Sequence, residues 1–296
     1  MAKEQRRHLA NAQGPWFVDD SCIDCDTSRQ CAPALFGVVE GQSVVVRQPE
    51  TEDEIVAATR AMLACPTASI GVVGSKPRVH GLFPEPIEGG VHYCGYNSPR
   101  SFGANAFFAQ REGGNLLIDA PRWVPELARR IEELGGIAHV LLTHQDDVAD
   151  ADRYADHFGA RVWIHEADRQ AAPFATDVIT GHGEAAITPD LLAIPAPGHT
   201  RGSVVYLLEQ RFLFSGDSLY WSREQADLSA FHEQCRFSWE EQARSLARLL
   251  DHRFEWVLAA HGERRRGGAA EMRERLRALV ARMTTKSAAW WREVGW

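Results

Sequence analysis

The sequence predicts a large α/β domain preceded by a small α+β segment that carries clustered cysteines. From about residue 92 onward, short apolar stretches with strand character alternate with amphipathic helical stretches, which is the pattern of layered α/β folds. Residues 15–72 instead contain a strand–turn–strand pattern, one helical stretch and three cysteines within ten residues. At 296 residues the chain exceeds the usual size of one domain, which favours two unequal parts.

The first part, 15–72, is predicted to be a small domain of its own. The stretch ALFGVVEGQSVVVRQP has strand, turn and strand character. In TEDEIVAATRAMLAC, Thr51 precedes Glu54 by three residues, a capping-box signature, and apolar residues follow at helical spacing. We therefore predict one helix that ends at Cys65. Residues 73–91 are rich in glycine and proline without clear periodicity, and they are predicted to form a linker or an extended wrap.

The second part, 92–296, is predicted to alternate strands and helices to the end of the chain. Strands are expected in FFAQREGGNLLIDA, where two flank a Gly-Gly turn, and in HVLLTH, RVWIHE, LLAI, SVVYLLE, RFLFSGD and WVLAAHG. Helices are expected in VPELARRIEELGG, DADRYADHFG, WEEQARSLARLLDH and AEMRERLRALVARM.

Composition favours a cytoplasmic protein without a nucleic-acid or membrane partner, and the partner we expect is a small-molecule substrate. The net charge of −8 and the sequence pI of about 5.8 argue against a nucleic-acid partner, which would require a basic face. No apolar run approaches the length needed to cross a bilayer, and the N-terminus lacks the apolar region of a signal peptide. Six cysteines, unevenly placed, do not suggest a disulfide framework in a chain of this length.

Four candidate metal ligands directly follow strand-like stretches. His144 lies in LLTHQDD, His199 in PAPGHT, Asp217 in LFSGDS and His261 in LAAHGE. Because strand ends in layered α/β folds gather ligands at one sheet edge, we expect these four side chains to converge. Imidazole nitrogens and carboxylate oxygens bind divalent metals, and an open coordination position allows such an ion to activate water.

The backbone before His199 is predicted to be a rigid turn. Pro195 and Pro197 each fix φ, and Gly198 is expected to adopt a φ angle that other residues avoid. Such a turn would aim the imidazole rather than leave it mobile.

The order TH…PGHT.G…F.GD…HG resembles the metallo-β-lactamase superfamily of metallohydrolases, from about residue 92 to 280. The resemblance implies a four-layer αβ/βα sandwich with one or two metal ions between two mixed sheets. His144 matches the first histidine of that family's H-x-H-x-D-H motif, and His199 matches the third histidine of the first metal site. Asp217 matches the bridging carboxylate, and His261 the last histidine of the second site.

The chain departs from the family at H-x-H-x-D-H, where it reads H-Q-D-D-V-A-D over 144–150. Asp146 stands where a second histidine is usual, Asp150 lies one helical turn further on, and Asp147 is a competing candidate. Carboxylate oxygens are competent metal ligands, so zinc, iron and manganese all stay open, as does the number of ions. A carboxylate at Asp146 or Asp150 that binds no metal is expected to accept protons during catalysis.

These residues favour a metal-dependent hydrolase in which activated water attacks an ester, a thioester, a lactam or a phosphodiester. Fold alone does not choose among these substrates. Two alternatives stay open. One is a redox protein that passes electrons from an N-terminal iron–sulfur cluster to a di-iron site, and the other is a degenerate scaffold without catalysis.

The cysteines at the front of the chain, CIDCDTSRQCAP together with ACPTASIG, resemble a single-cluster bacterial ferredoxin. The resemblance implies that Cys22, Cys25 and Cys65 hold a [4Fe–4S] cluster. Ser28 occupies the place of the remaining cysteine ligand, and Cys31 lies three residues later. Cys31 as a substitute ligand, a three-iron cluster, loss of the cluster and a structural zinc ion all stay open.

Overall fold

The computed structural model describes residues 1–74 and 77–293. Positions 75 and 76 of the predicted linker and 294–296 of the predicted second domain lie outside the described residues. The chain forms two compact units, one of residues 1–137 with 149–154 and the other of residues 138–148 with 155 onward. These units are defined by compactness, whereas the predicted boundaries at 72 and 92 separate a ferredoxin-like from a metallo-β-lactamase-like sequence. The predicted boundaries therefore stay predictions.

The N-terminal part of the first unit combines two short antiparallel strand pairs with two helices. Strand β1 pairs with β4, and β2 pairs with β3 in a hairpin. The elements are β1 (Trp16–Val18), α1 (Thr27–Cys31), β2 (Phe36–Val39), β3 (Gln42–Val45), α2 (Glu52–Ala64) and β4 (Ile70–Val72).

Local sequence signals account for both the hairpin and the longer helix. Glu40 and Gly41 both adopt positive φ, 52° and 73°, at the turn between β2 and β3. Thr51 accepts a hydrogen bond from the backbone N–H of Glu54, whose side chain bonds the Thr51 N–H in return. The predicted capping box and the predicted helix end at Cys65 are thereby confirmed.

The remainder of the first unit is an antiparallel meander followed by a helix. The strands are β5 (Glu85–Glu88), β6 (Val91–Tyr93), β7 (Phe107–Ala109) and β8 (Leu116–Ile118), each paired with the next. Helix α3 (Pro125–Glu133) begins at a proline and is followed by Gly135 and Gly136, both at positive φ. The predicted strands around the Gly-Gly turn and the predicted helix with its glycine stop are confirmed.

The second unit begins with three parallel strands. They are β9 (His139–Leu141), β10 (Arg161–His165) and β11 (Asp177–Ile179), with β10 in the middle. Val140, Val162 and Ile164 are fully buried in this sheet, as expected for parallel strands that are covered on both faces. Helix α4 (Ala151–Phe158) lies between β9 and β10 in the sequence.

A six-stranded mixed sheet forms the larger part of the second unit. Its order is β12-β13-β14-β15-β18-β19, and only the β15–β18 pair is parallel. The strands are β12 (Ala185–Thr188), β13 (Leu191–Pro195), β14 (Val204–Leu208), β15 (Phe212–Gly216), β18 (Trp256–Ala259) and β19 (Arg265–Arg266), while β16 (Tyr220–Ser222) and β17 (Asp227–Ser229) pair with each other.

Three helices accompany this sheet: α5 (Trp239–Arg248), α6 (Ala269–Thr285) and α7 (Ala288–Glu293). Val205, Leu213 and Val257 from the strands share one buried cluster with Leu246 of α5 and Leu276 of α6. Since each such side chain contributes about 1.5–3 kcal/mol on burial, this cluster fixes α5 against the sheet. Helix α5 in turn contacts the turn that carries His199.

The structure also contains strands that the sequence did not predict. Strand β5 lies inside the segment 73–91 that was interpreted as a linker, and its Pro86 pairs with His92 of β6. Strands β11, β12, β16 and β17 were likewise not expected. Within the described ranges, no helix combines the length and the apolar character that crossing a membrane requires.

Candidate metal centre and cysteine site

His144 is delivered by the segment that follows β9. The side chain is 1% exposed, and its Nδ1 lies 3.0 Å from the Thr143 hydroxyl oxygen in a hydrogen bond. A partner at Nδ1 fixes the ring and directs Nε2 away from it, which is the usual arrangement for a metal-binding histidine. His144 Nε2 lies 3.5 Å from Oδ2 of Asp217.

His199 sits in the predicted turn, but Gly198 is needed there for a different reason. Gly198 is not among the glycines with positive φ, so the predicted unusual φ is wrong. A Cβ at this position would lie 2.2 Å from Gln242 Cβ and 2.5 Å from Gln242 Cα. Glycine is therefore required because the backbone of α5 packs directly against the turn. The Ser238 N–H, at the start of α5, donates to the Gly198 carbonyl.

Asp217 follows β15 and completes a group of three buried ligands. Its Oδ2 lies 3.5 Å from Nε2 of both His144 and His199. One ligand atom from each of the three residues lies within 4.8 Å of the others. Gly216, at φ 51°, leaves room for the close approach of Thr143, so the backbone turns sharply just before the carboxylate.

Electrostatics hold this carboxyl in its charged form. Burial by itself raises the pKa of Asp217, but the nearby imidazoles of His261, His144 and His199 lower that pKa well below its ordinary value. The described residues offer no hydrogen-bond partner to Oδ1 of Asp217 or Nδ1 of His199. An ionised buried carboxylate beside two imidazole nitrogens is a set of donors that suits a divalent cation.

His261 follows β18, as the sequence predicted, and is 8% exposed. Its charge lowers the pKa of Asp217. Its ring packs edge-to-face against Phe231, with ring centroids 6.2 Å apart. The group of three ligands that lie within 4.8 Å of one another does not include His261. His261 therefore lies beside that group, and its role as a metal ligand stays a prediction.

Asp146 lies at the same centre, on the more exposed side. Its Oδ2 lies 3.3 Å from His199 Nε2, and its Oδ1 accepts a hydrogen bond of 3.0 Å from Arg236 Nη1. The hydrogen bond from His199 is the largest cause of the lowered pKa of Asp146, and His144 and Arg236 lower it further. Arg236 was not identified from the sequence, because it lies 90 positions from Asp146 in no recognisable motif.

The two other candidate carboxylates lie in different surroundings. Asp147 is buried, with Oδ2 3.8 Å from Nδ1 of His144. Asp150 belongs to the first compact unit, where its carboxylate accepts hydrogen bonds from the Arg100 guanidinium and the Trp123 N–H. The predicted roles of Asp150 as ligand and proton acceptor stay predictions.

Asp168 connects two of the segments that carry the candidate ligands, and sequence analysis did not identify it. This buried carboxylate accepts hydrogen bonds from Thr200 Oγ1, the Gly202 N–H and the Gln145 N–H, at 2.6–3.0 Å. It therefore ties the segment after His144 to the segment after His199. No local pattern marks Asp168, since it lies in a polar 3-10 helix, Glu166–Ala171.

The cysteines of the first unit gather around a separate small cavity. Cys22, Cys25 and Cys65 line it together with Ser28, whereas Cys31 is not among the described residues that do. The Sγ atom of Cys22 accepts a hydrogen bond from Ser43 N–H, and that of Cys65 accepts one from Ser69 N–H, both at 3.3 Å. The pKa of the Cys25 thiol is raised to about 12, mainly because the thiol is buried and in smaller part because Cys65 and Cys22 lie nearby.

Comparison with known families identifies both parts of the chain. Residues 91–279 match the family model described as metallo-beta-lactamase superfamily. The chain belongs to the metallo-β-lactamase superfamily. It has the α/β sandwich of this superfamily, with two mixed sheets. Residues 18–72 match the 4Fe-4S single cluster domain of ferredoxin I, so a small ferredoxin-like domain precedes the metallo-β-lactamase domain.

Solved structures agree on the fold. The DIM-1 metallo-β-lactamase exposed to ceftazidime is 16% identical, with a TM-score of 0.51 over 67% of this chain and 95% of that chain. TMB-1, a protein studied for substrate and inhibitor binding, is 16% identical, with a TM-score of 0.52 over 68% and 97%. Identities this low show the shared fold alone. None of the curated proteins compared with the chain matches it significantly.

Proposed function

We propose that this metallo-β-lactamase superfamily member is a metal-dependent hydrolase of a small-molecule ester, thioester, lactam or phosphodiester. The observation that carries the proposal is the convergence of His144, His199 and Asp217, all buried, with ligand atoms within 4.8 Å of one another. Composition supports action in the cytoplasm without a nucleic-acid or membrane partner.

His144 and His199 would hold the metal through Nε2, and Asp217 through a carboxylate oxygen, with His261 completing the set. When bound there, zinc, iron or manganese lowers the pKa of water and polarises a carbonyl or phosphoryl oxygen. Thr143 bonds Nδ1 of His144 and so orients that ring, while Asp168 bonds Gln145 and Thr200, the residues that follow His144 and His199.

Asp146 is the best-placed residue to handle protons at this centre. Its half-buried carboxylate lies 3.3 Å from His199 Nε2, and the hydrogen bond from His199 lowers its pKa, so the group is ionised at neutral pH, as a carboxylate that binds a metal or takes up a proton must be. Arg236 orients this carboxylate through Oδ1 and leaves Oδ2 facing the histidines. Asp146 therefore has one oxygen facing the histidines and one hydrogen-bonded to the largely exposed Arg236 guanidinium.

The test is metal analysis combined with a substrate panel. The wild-type chain is expected to bind about one divalent ion at the histidine site and to hydrolyse at least one ester, thioester, lactam or phosphodiester. The variant H199A should lose metal affinity by more than about 100-fold, because even residues that only support a ligand contribute roughly 10- to 100-fold. The exposed His182 provides the matched control, and H182A should retain both properties.

Two outcomes would contradict the hydrolase proposal. An empty histidine site under metal-replete conditions would favour a scaffold without catalysis. Metal binding without turnover of any substrate class, with reversible reduction of a di-iron centre, would favour the redox alternative. The convergence of Cys22, Cys25 and Cys65 in the ferredoxin-like domain keeps that alternative open.

A further inference from the structure

The ferredoxin-like domain offers three thiols and one hydroxyl to a single cavity. Cys22, Cys25 and Cys65 line it, and Ser28 lines it at the place where a cysteine ligand is missing. Ser28 is 6% exposed, in the first turn of α1. The soft thiols fit an iron–sulfur cluster, and the hydroxyl adds an oxygen donor beside them.

Backbone N–H groups around this cavity donate to the sulfur atoms of Cys22 and Cys65. Asp24 and Asp26, on either side of Cys25, both adopt left-handed φ angles of 54° and 62°. The Asp24 N–H and the Ser43 N–H donate to the Cys22 sulfur at 3.5 and 3.3 Å. Left-handed backbone in non-glycine residues costs about 1–3 kcal/mol each and persists at functional sites, where it places such donors.

Helix geometry separates Cys31 from this cavity. Cys31 is the last residue of α1, three positions beyond Ser28, which is about 4.5 Å along a helix axis. For its thiol to take the place of Ser28, the backbone of α1 would have to shift by about this distance. Arg29 opposes that change, because its guanidinium bonds Asp26 Oδ1 at 2.6 Å and Asp24 Oδ1 at 2.7 Å.

The surroundings of Ser28 suit a deprotonated oxygen. Ser28 Oγ donates to Ser43 Oγ at 3.0 Å, so its lone pairs are not used by that bond. Ser43 Oγ also accepts from Arg29 Nη1 at 2.9 Å. If Ser28 loses its proton, the Ser43 hydroxyl can rotate and donate to it while the Arg29 cation holds Ser43 in place.

We propose that this domain holds a [4Fe–4S] cluster on the thiolates of Cys22, Cys25 and Cys65, with Ser28 Oγ as the fourth ligand in place of Cys31. At the iron that lacks a cysteine, an Fe–O bond to Ser28 forms as the bond to a bound water breaks; the water and the serine proton pass to solvent, and no iron changes its oxidation state. The alkoxide is a harder donor than a thiolate, so it shifts the reduction potential of the cluster. This inference is independent of the hydrolase proposal.

The test is anaerobic reconstitution of the full chain with ferric iron, sulfide and a thiol reductant, followed by EPR spectroscopy of the oxidised and the reduced protein. Wild type and C31A are expected to be EPR-silent when oxidised and to give the same signal when reduced. S28A is expected to lose one iron and to show the signal of an oxidised three-iron cluster. In an H199A background, which removes iron from the histidine site, the iron-to-sulfide ratio should fall from about one to about three quarters in S28A.

S28C is the second informative variant, because it restores a fourth thiolate and keeps the domain testable if S28A does not fold. It should retain the full iron content but give a reduction potential and a reduced EPR signal that differ from those of wild type. The proposal is overturned if C31A loses iron while S28A keeps it. It is also overturned if S28C has the wild-type potential, if the wild-type cluster contains three irons, or if the cysteines bind zinc or nothing.

Discussion

Replacing Gly198 by alanine tests whether the packing of α5 against the turn holds His199 in place. The added Cβ would lie 2.5 Å from Gln242 Cα, a backbone atom, whereas ordinary contacts begin near 3.4 Å. No change of rotamer removes a clash with backbone, so the turn or α5 must move by about 1 Å. Overpacking of this kind costs about 1–3 kcal/mol.

The displacement should also weaken metal binding, because His199 is the next residue. We expect G198A to lower the urea midpoint of the metal-free protein and to lower zinc affinity by about tenfold or more, measured by competition with a chelator. Gly183 provides the matched control, since nothing lies within 4 Å of a Cβ at that position. If G198A and G183A have the same zinc affinity and the same midpoint, close packing on the turn does not position His199.

Three further outcomes are expected. D168N should lower the free energy of unfolding, measured in urea, by about 2–3 kcal/mol and should weaken metal binding, because one of the two oxygens that accept hydrogen bonds from three donors is lost. The exposed Asp152→Asn is the control and should change neither property; equal stability of the two variants would contradict this expectation. The hydrogen bond from Arg161 lowers the pKa of Asp177 in the folded protein. The ionised Asp177 therefore stabilises the fold above pH about 4, and this contribution is lost as the pH falls through the folded pKa. In R161A, the free energy of unfolding should decrease less steeply as the pH is lowered. Removing metal with a chelator should lower the thermal midpoint of wild type but leave that of H199A unchanged, since a metal that binds only the folded state stabilises it by mass action.

The candidate ligands of the centre could be found from the sequence because their signal is local. His144 and Asp217 come within three positions of the end of a buried strand, and a polar residue there stands out against the apolar run before it. His199 was found through its proline-rich turn, but the reason for Gly198 was wrong. The turn is shaped by a helix that lies more than 40 positions further along the chain, which no local pattern reveals.

The residues that sequence analysis missed act across long separations or sit among structure-breaking residues. Arg236 reaches Asp146 across 90 positions, and Asp168 reaches Thr200 across 32. Strand β5 was interpreted as a linker because Pro86 and the following glycines resemble a break. An edge strand tolerates proline, and β5 is the outermost strand of its sheet, paired on one side only with β6. The backbone N–H that Pro86 lacks is therefore not needed for pairing on the other side.

The departure at H-Q-D-D leaves a carboxylate, Asp146, beside the two histidines. A metal held by Nε2 of His144 and His199 would lie on the Nε2 side of both rings, and Asp146 Oδ2 is 3.8 and 3.3 Å from those two atoms. Asp147 faces the opposite nitrogen of His144, Nδ1, at 3.8 Å. Asp146 is thus the candidate carboxylate whose placement resembles that of a ligand. Its other oxygen accepts a hydrogen bond of 3.0 Å from Arg236, so we expect R236A to leave metal affinity unchanged if Asp146 is held by the histidine site alone and to lower it if this bond orients the carboxylate.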